Sequence, residues 1–110
     1  MSGRAGWSVY VVRCADGTLY VGLAKDVDAR VATHNRGGGA RYTRARRPVR
    51  LRWSWTCSTA EDARRLEGLL KREPRARRLR AIAGDPEVLG LLLVEVAARR
   101  RASIRTRASP

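Results

Sequence analysis

The first part of the chain is rich in the β-branched and aromatic residues that favour β-strands. Residues 8–14 and 19–22 are two such β-rich runs, and residues 15–18 between them contain an Asp-Gly pair. Because glycine tolerates the positive φ of a tight turn, this pair predicts a β-hairpin. Whether Tyr10 and Tyr20 lie on the same face depends on the hairpin register, which the pattern leaves open.

A third strand is predicted over residues 49–57, where the alternation is uninterrupted. The apolar face is expected to carry Val49, Leu51, Trp53, Trp55 and Cys57. The polar face is expected to carry Arg50, Arg52, Ser54 and Thr56. The pattern predicts a half-buried strand, and the two tryptophans are interpreted as core residues rather than as surfaces on which bases stack.

Helical periodicity follows the hairpin. Asp26 is a suitable N-cap for a first helix. Val27 and Val31 then lie on one face of this helix, and Arg30 and His34 lie on the adjacent stripe. Three consecutive glycines end the helix and begin a loop.

Further helices are predicted in the second half of the chain. A capping box over residues 58–61 begins one helix, which Pro74 ends or kinks. A short basic helix over residues 75–83 stops at Gly84. The following Asp-Pro pair predicts another helix start, because proline suits the first helical position.

The end of the chain divides into two parts. Residues 88–98 are apolar enough for a helix that lies in the core or contacts another protein, including a second copy of the chain. Their β-branched residues leave a strand open as the alternative. Residues 99–110 are basic and polar, and we expect a disordered tail.

Composition restricts the class of protein. A chain of 110 residues accommodates one domain, and its 24 basic against 10 acidic residues give a net charge of +14. Only Lys25 and Lys71 are lysines, and arginine binds phosphate in a planar, two-pronged way. A polyanionic partner, nucleic acid first, is therefore expected; a solubilising surface in an arginine-rich proteome is the alternative.

Other features argue against several classes. No stretch approaches the roughly 20 apolar residues of a membrane span. No secretory signal is evident at the start of the sequence, so the cytoplasm is the expected location. Cys14 and Cys57 are far apart and lack a histidine cluster, so they do not predict a zinc site.

The densest run of positive charge covers residues 36–52, with seven arginines and no acidic residue. Inside it, residues 41–47 place arginines around Tyr42, directly after the glycines. Cations around one aromatic ring are typical of a nucleic-acid clamp, and a solvated loop is the alternative interpretation.

Four residues in the order Tyr10, Tyr20, Arg30 and His34, with the hairpin between the tyrosines, resemble the start of a GIY-YIG nuclease domain. The run from Tyr20 to Asp26 is similar to the second motif of that family. Residues 41–48 are similar to the loop of its small stand-alone bacterial members, the YhbQ type. Glu67 with Lys71 resembles the acidic motif.

The resemblance covers roughly residues 7 to 83, with some departures. Ser8 stands where the family has its first glycine, Val9 replaces the isoleucine, and no asparagine follows Asn35. It implies an α/β (α+β) fold with a small three-stranded, mainly antiparallel sheet flanked by helices. The implied organisation is a nuclease domain over residues 7–83, a helical extension over 84–98 and the basic tail.

The implied function is a metal-dependent endonuclease that hydrolyses phosphodiester bonds in DNA, structure-selective and acting in repair or processing. The runner-up is a non-catalytic nucleic-acid-binding module with the same fold. A third class is an accessory domain that docks through residues 88–98. DNA is preferred over RNA as partner, and no membrane contact is expected.

The resemblance also implies roles for single residues. Tyr10 would be the general base or position the attacking water, with its pKa lowered by a nearby cation. Tyr20 would orient or share that role, and His34 would assist or bind phosphate. Arg30 would bind the non-bridging oxygens. Glu67 would hold a single Mg²⁺ or Mn²⁺ ion as a hard oxygen ligand.

Nucleic-acid contacts are expected from a second set of residues, namely Lys25, Arg41, Tyr42, Arg44, Arg46 and Arg47. Without the family pattern, each candidate has an ordinary structural reading. The two tyrosines would be core residues, Arg30 a solvated helix residue, and His34 a surface or internally bonded histidine. Glu67 would be the ion-pair partner of Lys71.

Overall fold

A three-stranded antiparallel sheet in the order β2-β1-β3 forms the centre of the fold, which confirms the predicted fold class. The computed structural model describes residues 6–108, with side chains to Ile104. The strands are β1 (Trp7–Arg13), β2 (Leu19–Ala24) and β3 (Arg50–Cys57). The helices are α1 (Val27–Asn35), α2 (Arg41–Arg44), α3 (Ala60–Arg72), α4 (Arg75–Ile82) and α5 (Pro86–Ala108).

Each face of the sheet is covered by helices and has its own apolar cluster. On one face, Val9 and Val11 of β1 pack with Leu66 of α3, Ala81 of α4 and Leu92 of α5. On the other face, Tyr10, Val12, Cys14, Ala24 and Val49 pack with Val27 and Val31 of α1. The sheet therefore lies between α3, α4 and α5 on one side and α1 on the other.

The hairpin turn determines which residues of β1 and β2 face each other. Gly17 adopts a φ of 84°, and the Asp16 carboxylate accepts hydrogen bonds from the backbone N–H and the hydroxyl of Thr18. The resulting register pairs Tyr10 with Gly22 and places Tyr20 opposite Val12. Because directly opposed residues of an antiparallel pair share a face, both tyrosine rings lie on the α1 side of the sheet.

The prediction of one continuous apolar face on β3 is wrong. A bulge between Val11 and Val12 shifts the register, so that Val11 faces Trp53 whereas Val12 faces Leu51. An extra residue on one strand reverses the alternation from that point. Trp53 packs against the α3 side of the sheet and Val49 against the α1 side.

Trp55 also differs from its predicted place in the core. Its side chain is 37% exposed and stacks on Trp53, with ring centroids 6.3 Å apart. The strand lies at an edge of the sheet, so that only part of its inner face is covered. Periodicity alone does not reveal how far the covering helices extend over a strand.

The helix starts and stops follow the predicted signals with one correction. The N-cap of α3 is Thr59, whose hydroxyl accepts from the Asp62 N–H at 3.1 Å, rather than Ser58 of the predicted capping box. Gly84 has a φ of 86° directly after α4. The carboxylate of Asp85 accepts from the Glu87 N–H at the start of α5.

The expectation of a disordered tail from residue 99 is wrong up to Ala108, because α5 continues to that residue. Ion pairs anchor the extra turns: Arg99 with Glu95 at 2.9 Å, and Arg100 with the buried Asp62 of α3 at 2.8 Å. Arginine is also a good helix former. Residues 109–110 lie outside the described range. Within that range, no helix is long and apolar enough to cross a bilayer.

Candidate active site

Helix α1 delivers two of the candidate residues to the sheet. The Asp26 side chain caps it by accepting from the Ala29 N–H at 3.0 Å, and Val27 and Val31 pack against the sheet. At its other end, the Asn35 amide bonds both the N–H and the C=O of Val49, at 2.7 and 2.9 Å. These contacts fix the helix so that Arg30 and His34, one turn apart, face the two tyrosines.

His34 is fully buried, and both ring nitrogens are used inside the protein. Nε2 lies 2.7 Å from the Tyr10 hydroxyl, and Nδ1 lies 2.7 Å from the Thr43 hydroxyl. The rings of Tyr10 and Tyr20 both approach the imidazole edge-on, at centroid distances of 5.9 and 5.4 Å. With no free nitrogen, His34 cannot contact a phosphate directly in this arrangement.

The hydrogen bonds form a chain with a defined direction. Thr43 donates its hydroxyl proton to the Ala40 carbonyl at 3.0 Å, so its oxygen accepts from His34 Nδ1–H. The neutral imidazole then offers Nε2 as the acceptor for the Tyr10 hydroxyl. The sequence Tyr10, His34, Thr43, Ala40 is therefore a continuous donor-to-acceptor chain.

Two glycines leave the space in which these rings lie. A Cβ added at Gly22 would come within 2.5 Å of the Tyr10 hydroxyl oxygen. A Cβ added at Gly39 would come within 2.0 Å of His34 Nδ1. Gly22 is the glycine of the second family-like motif, so its role here is to admit the ring that crosses from the neighbouring strand.

Burial affects the pKa values of Tyr10 and His34. It raises the pKa of Tyr10, and this effect exceeds the opposing effect of a hydrogen bond from Arg30. The expectation that a cation lowers this pKa is therefore not met, and Tyr10 is a neutral donor. Burial also lowers the pKa of His34, with repulsion from Arg30 as the second cause. Both shifts favour the neutral pair.

Tyr20 is the half-buried one of the two tyrosines, and a neighbouring aromatic ring packs against it. The Tyr42 ring stacks on it at 6.0 Å with an interplanar angle of 23°. The Arg46 guanidinium lies 3.8 Å above the Tyr42 ring and pairs with the Asp16 carboxylate at 3.0 Å. The stack thus connects the hairpin turn to the Tyr20 side chain.

Glu67 of α3 lies near enough to act on the pKa of Tyr10, as do Tyr20 and Arg30. Its carboxylate is 3.1 Å from the Lys71 ammonium and is partly exposed. Among the described residues, no group of three or more His, Cys, Asp or Glu side chains could hold a metal ion. A single carboxylate fits Mg²⁺ or Mn²⁺, which keep several waters, and does not fit zinc.

The structure brings together Tyr10, Tyr20, Arg30, His34 and Glu67, but it separates Lys25 from them. The Lys25 ammonium lies 5.5 Å from the centre of the Trp7 ring. Because Ala24 pairs with Ser8 and Tyr20 pairs with Val12, Lys25 lies just beyond the far end of β2, five residues or roughly 17 Å along the strand from Tyr20.

The basic loop is more ordered than a solvated segment. Residues Arg41–Arg44 form α2, and several side chains bond the backbone. Arg44 donates to the Gly37 carbonyl, Arg46 to the Tyr42 carbonyl and Arg47 to the Arg44 carbonyl, at 2.9–3.2 Å. Part of the predicted clamp is therefore used to build the loop, and Tyr42 supports Tyr20.

Sequence reasoning missed several residues of the site. Thr43 is the partner of His34, and Asn35 ties α1 to Val49, the residue directly before β3. Thr43 lies in the basic loop and Asn35 lies next to His34 in the sequence. Neither residue type indicates in advance that it bonds His34 or Val49. Arg78 of α4 lines a depression beside Tyr20. Its approach depends on helix packing, for which no local signal exists.

Comparison with known proteins identifies relatives. The family model described as "GIY-YIG catalytic domain" matches residues 6–80. UPF0213 proteins of Staphylococcus aureus strains Mu3 and N315 are each 50% identical over 74 residues, which are 67% of this chain and 90% of the relative. The solution NMR structure of the UPF0213 protein BH0048 from Bacillus halodurans is 36% identical, covers 73% of this chain and 85% of that one, and gives a TM-score of 0.49.

Proposed function

Since this chain belongs to the GIY-YIG nuclease family, we propose that it is a metal-dependent endonuclease that hydrolyses phosphodiester bonds in DNA. The observation that carries the proposal is the buried hydrogen bond between Tyr10 and His34 at 2.7 Å, with the Tyr20 ring packed on the same imidazole. Arg30 and Glu67 add a cation and a carboxylate close enough to influence Tyr10. A module that only binds nucleic acid needs positive charge but has no use for a carboxylate at this place. We further propose structure-selective cutting in repair or processing, and the cytoplasm as the place of work.

The half-buried Tyr20 would contact the substrate, whereas the buried Tyr10 and His34 would position it. Tyr20 accepts a hydrogen bond from the attacking water, whose oxygen forms the new bond to phosphorus as one ester P–O bond breaks. The water's proton passes to solvent, and the leaving oxygen takes up a proton from solvent to become a hydroxyl. The Arg30 guanidinium binds the non-bridging oxygens as negative charge develops on them. The neutral Tyr10–His34 pair keeps the imidazole against the Tyr20 ring.

Glu67 is the residue that would hold a divalent ion. GIY-YIG nucleases generally use such metals, and a bound Mg²⁺ or Mn²⁺ supplies charge neutralisation at the phosphate. In the free protein the Lys71 ammonium neutralises this carboxylate. Lys71 is half exposed on a flexible stem, so it can turn aside when the carboxylate binds a cation.

The test is a cleavage panel of single-stranded, duplex, nicked and branched DNA and RNA with Mg²⁺, Mn²⁺ or EDTA. Glu67→Gln removes the charge with little change in volume. Its turnover should fall by about 10²-fold or more, because a charge-stabilising group is lost, while binding persists. Glu61→Gln, an exposed acid on the same helix, is the matched control and should cut like the wild type.

Two results would contradict the proposal. Equal cutting by the wild type and Glu67→Gln would remove Glu67 from the reaction. Tight binding with no wild-type cutting on any member of the panel would leave the alternative, a nucleic-acid-binding module of the same fold.

A further inference from the structure

A depression of about 320 Å³ lies beside Tyr20. Four elements contribute its walls: Leu19, Tyr20 and Val21 from β2, Tyr42 from α2, Lys71 from α3 and Arg78 from α4. Tyr20 is the residue placed against the substrate strand, so whatever enters the depression lies next to that strand. Two of the six lining residues are cations, and none is an acid.

Arg78, which lines this depression, carries an unmet hydrogen-bond donor. Its Nε is buried and has no hydrogen-bond partner among the described residues. Buried N–H groups in native proteins are nearly always bonded, and an orphan of this kind points to a ligand, ion or water. A guanidinium nitrogen has no acceptor capacity, so the missing partner must be an acceptor such as an anionic oxygen.

Lys71 supplies the second cation from a different helix. Its side chain is 52% exposed, and its ammonium pairs with the Glu67 carboxylate at 3.1 Å. An exposed pair of this kind is weak and exchanges readily for another partner. The ammonium can therefore exchange Glu67 for an anionic oxygen in the depression, which Lys71 lines.

We propose that the depression binds a phosphate group of the nucleic-acid strand, adjacent to the phosphate that is cut, with Lys71 and Arg78 as its ligands. A guanidinium and an ammonium from two packed helices present a fork and a point charge to one tetrahedral anion. This deepens the proposed function and rests on it, because it takes Tyr20 as the residue that faces the strand. A terminal 5′-phosphate and an internal phosphodiester offer the same oxygens.

Binding in EDTA tests the proposal without any need for turnover. A labelled single-stranded oligothymidylate, with or without a 5′-phosphate, is titrated at several salt concentrations. The double variant Lys71→Gln/Arg78→Gln should flatten the slope of log K against log salt by about 0.7, the share of one phosphate on a single strand. A flatter slope seen only with the 5′-phosphorylated strand identifies a terminal phosphate as the ligand. A flatter slope seen with both strands identifies an internal phosphate.

A charge-matched control separates contact from overall charge. Arg99→Gln/Arg101→Gln removes two exposed cations of α5 and should leave the slope as in the wild type. A double variant of the depression that behaves like this control overturns the proposal. If Arg78→Gln does not fold, Lys71→Gln alone must still flatten the slope, by at most about 0.7.

A direct readout is the Arg78 Nε–H resonance in ¹H–¹⁵N spectra of the full chain. It should move downfield on addition of the oligonucleotide, since the proton gains an acceptor. An unmoved resonance at saturation overturns the proposal. If the wild type cuts DNA and the resonance does not move, the nuclease function stands and the phosphate site is wrong. If the resonance moves and no DNA is cut, the phosphate site stands and the nuclease function is wrong.

Discussion

At the scale of single residues, Gly22 determines where Tyr10 can lie. The two are directly opposed on β2 and β1, and a Cβ at residue 22 would sit 2.5 Å from the tyrosine oxygen. Gly22→Ala should therefore destabilise the protein by about 1–3 kcal/mol through overpacking and should displace the Tyr10 ring. The measurement is urea unfolding, together with the cleavage rate.

Gly68 offers the matched control, because a Cβ there meets no atom within 4 Å. It lies inside α3, where glycine costs roughly 0.5–1 kcal/mol relative to alanine, so Gly68→Ala should stabilise the protein. Equal stability of the two variants would mean that Tyr10 does not occupy the space above Gly22.

His34 makes stability depend on pH. Its pKa in the folded chain is lowered, whereas an unfolded chain has a histidine pKa of about 6.5. Below that value the unfolded chain takes up a proton that the folded chain does not, so this contribution is present above pH 6.5 and lost as the pH falls. Urea unfolding at about pH 7.5 and pH 5 should give a larger drop for the wild type than for His34→Gln.

The variant is expected to be less stable at both pH values, since it loses the bonds to Tyr10 and Thr43. The informative quantity is the difference between the two pH values, in which the carboxylates common to both proteins cancel. An equal drop for both would show that His34 takes up a proton while folded.

At the scale of elements, turn and cap residues correctly predicted where strands and helices begin and end, because neighbouring residues determine those ends. The Asp-Gly turn, the Asp26 cap and the glycine after α4 all mark true boundaries. The bulge beside Val12 and the exposure of Trp55 depend on neighbouring strands and covering helices, and no window of sequence contains them. The same holds for Thr43, which meets His34 only because the loop folds back.

Helix α5 was expected as an extension, but its inner face lies in the main core. Leu92 is 4% exposed, whereas the neighbouring Leu91 is 57% exposed. Leu92→Ala should lower the free energy of unfolding by about 2–5 kcal/mol, because it leaves a cavity. Leu91→Ala should change it by no more than about 0.5 kcal/mol. If urea unfolding showed that both variants change the free energy of unfolding by similarly small amounts, α5 would not be part of the core.

At the scale of the whole molecule, positive charge gathers around the end of the sheet that carries the hairpin turn. Arg13 faces Arg50 directly across β1 and β3, and both line a depression of about 330 Å³ with Arg52. Arg75 reaches the carbonyl of Gly17 in the turn at 3.1 Å. Like charges opposed on neighbouring strands are unfavourable alone, so this end of the molecule favours a polyanion.

The net charge of +14 predicted such a partner but not its place on the molecule. The arginines of the hairpin end come from β1, β3, the basic loop and α4, which are scattered along the chain. Their gathering is a consequence of topology. Composition therefore predicts the chemistry of the partner, and only the fold predicts where it binds.

The length of α5 has a practical consequence for anyone who redesigns the gene. Family similarity ends at residue 80, but Val88, Leu92 and Val96 share one core with Leu66 and Leu70. A shortened gene that stops with the similarity would leave those leucines open to water, and the product would aggregate. The segment that matches the family model is therefore shorter than the segment that shares one core. A fusion partner should be attached after α5.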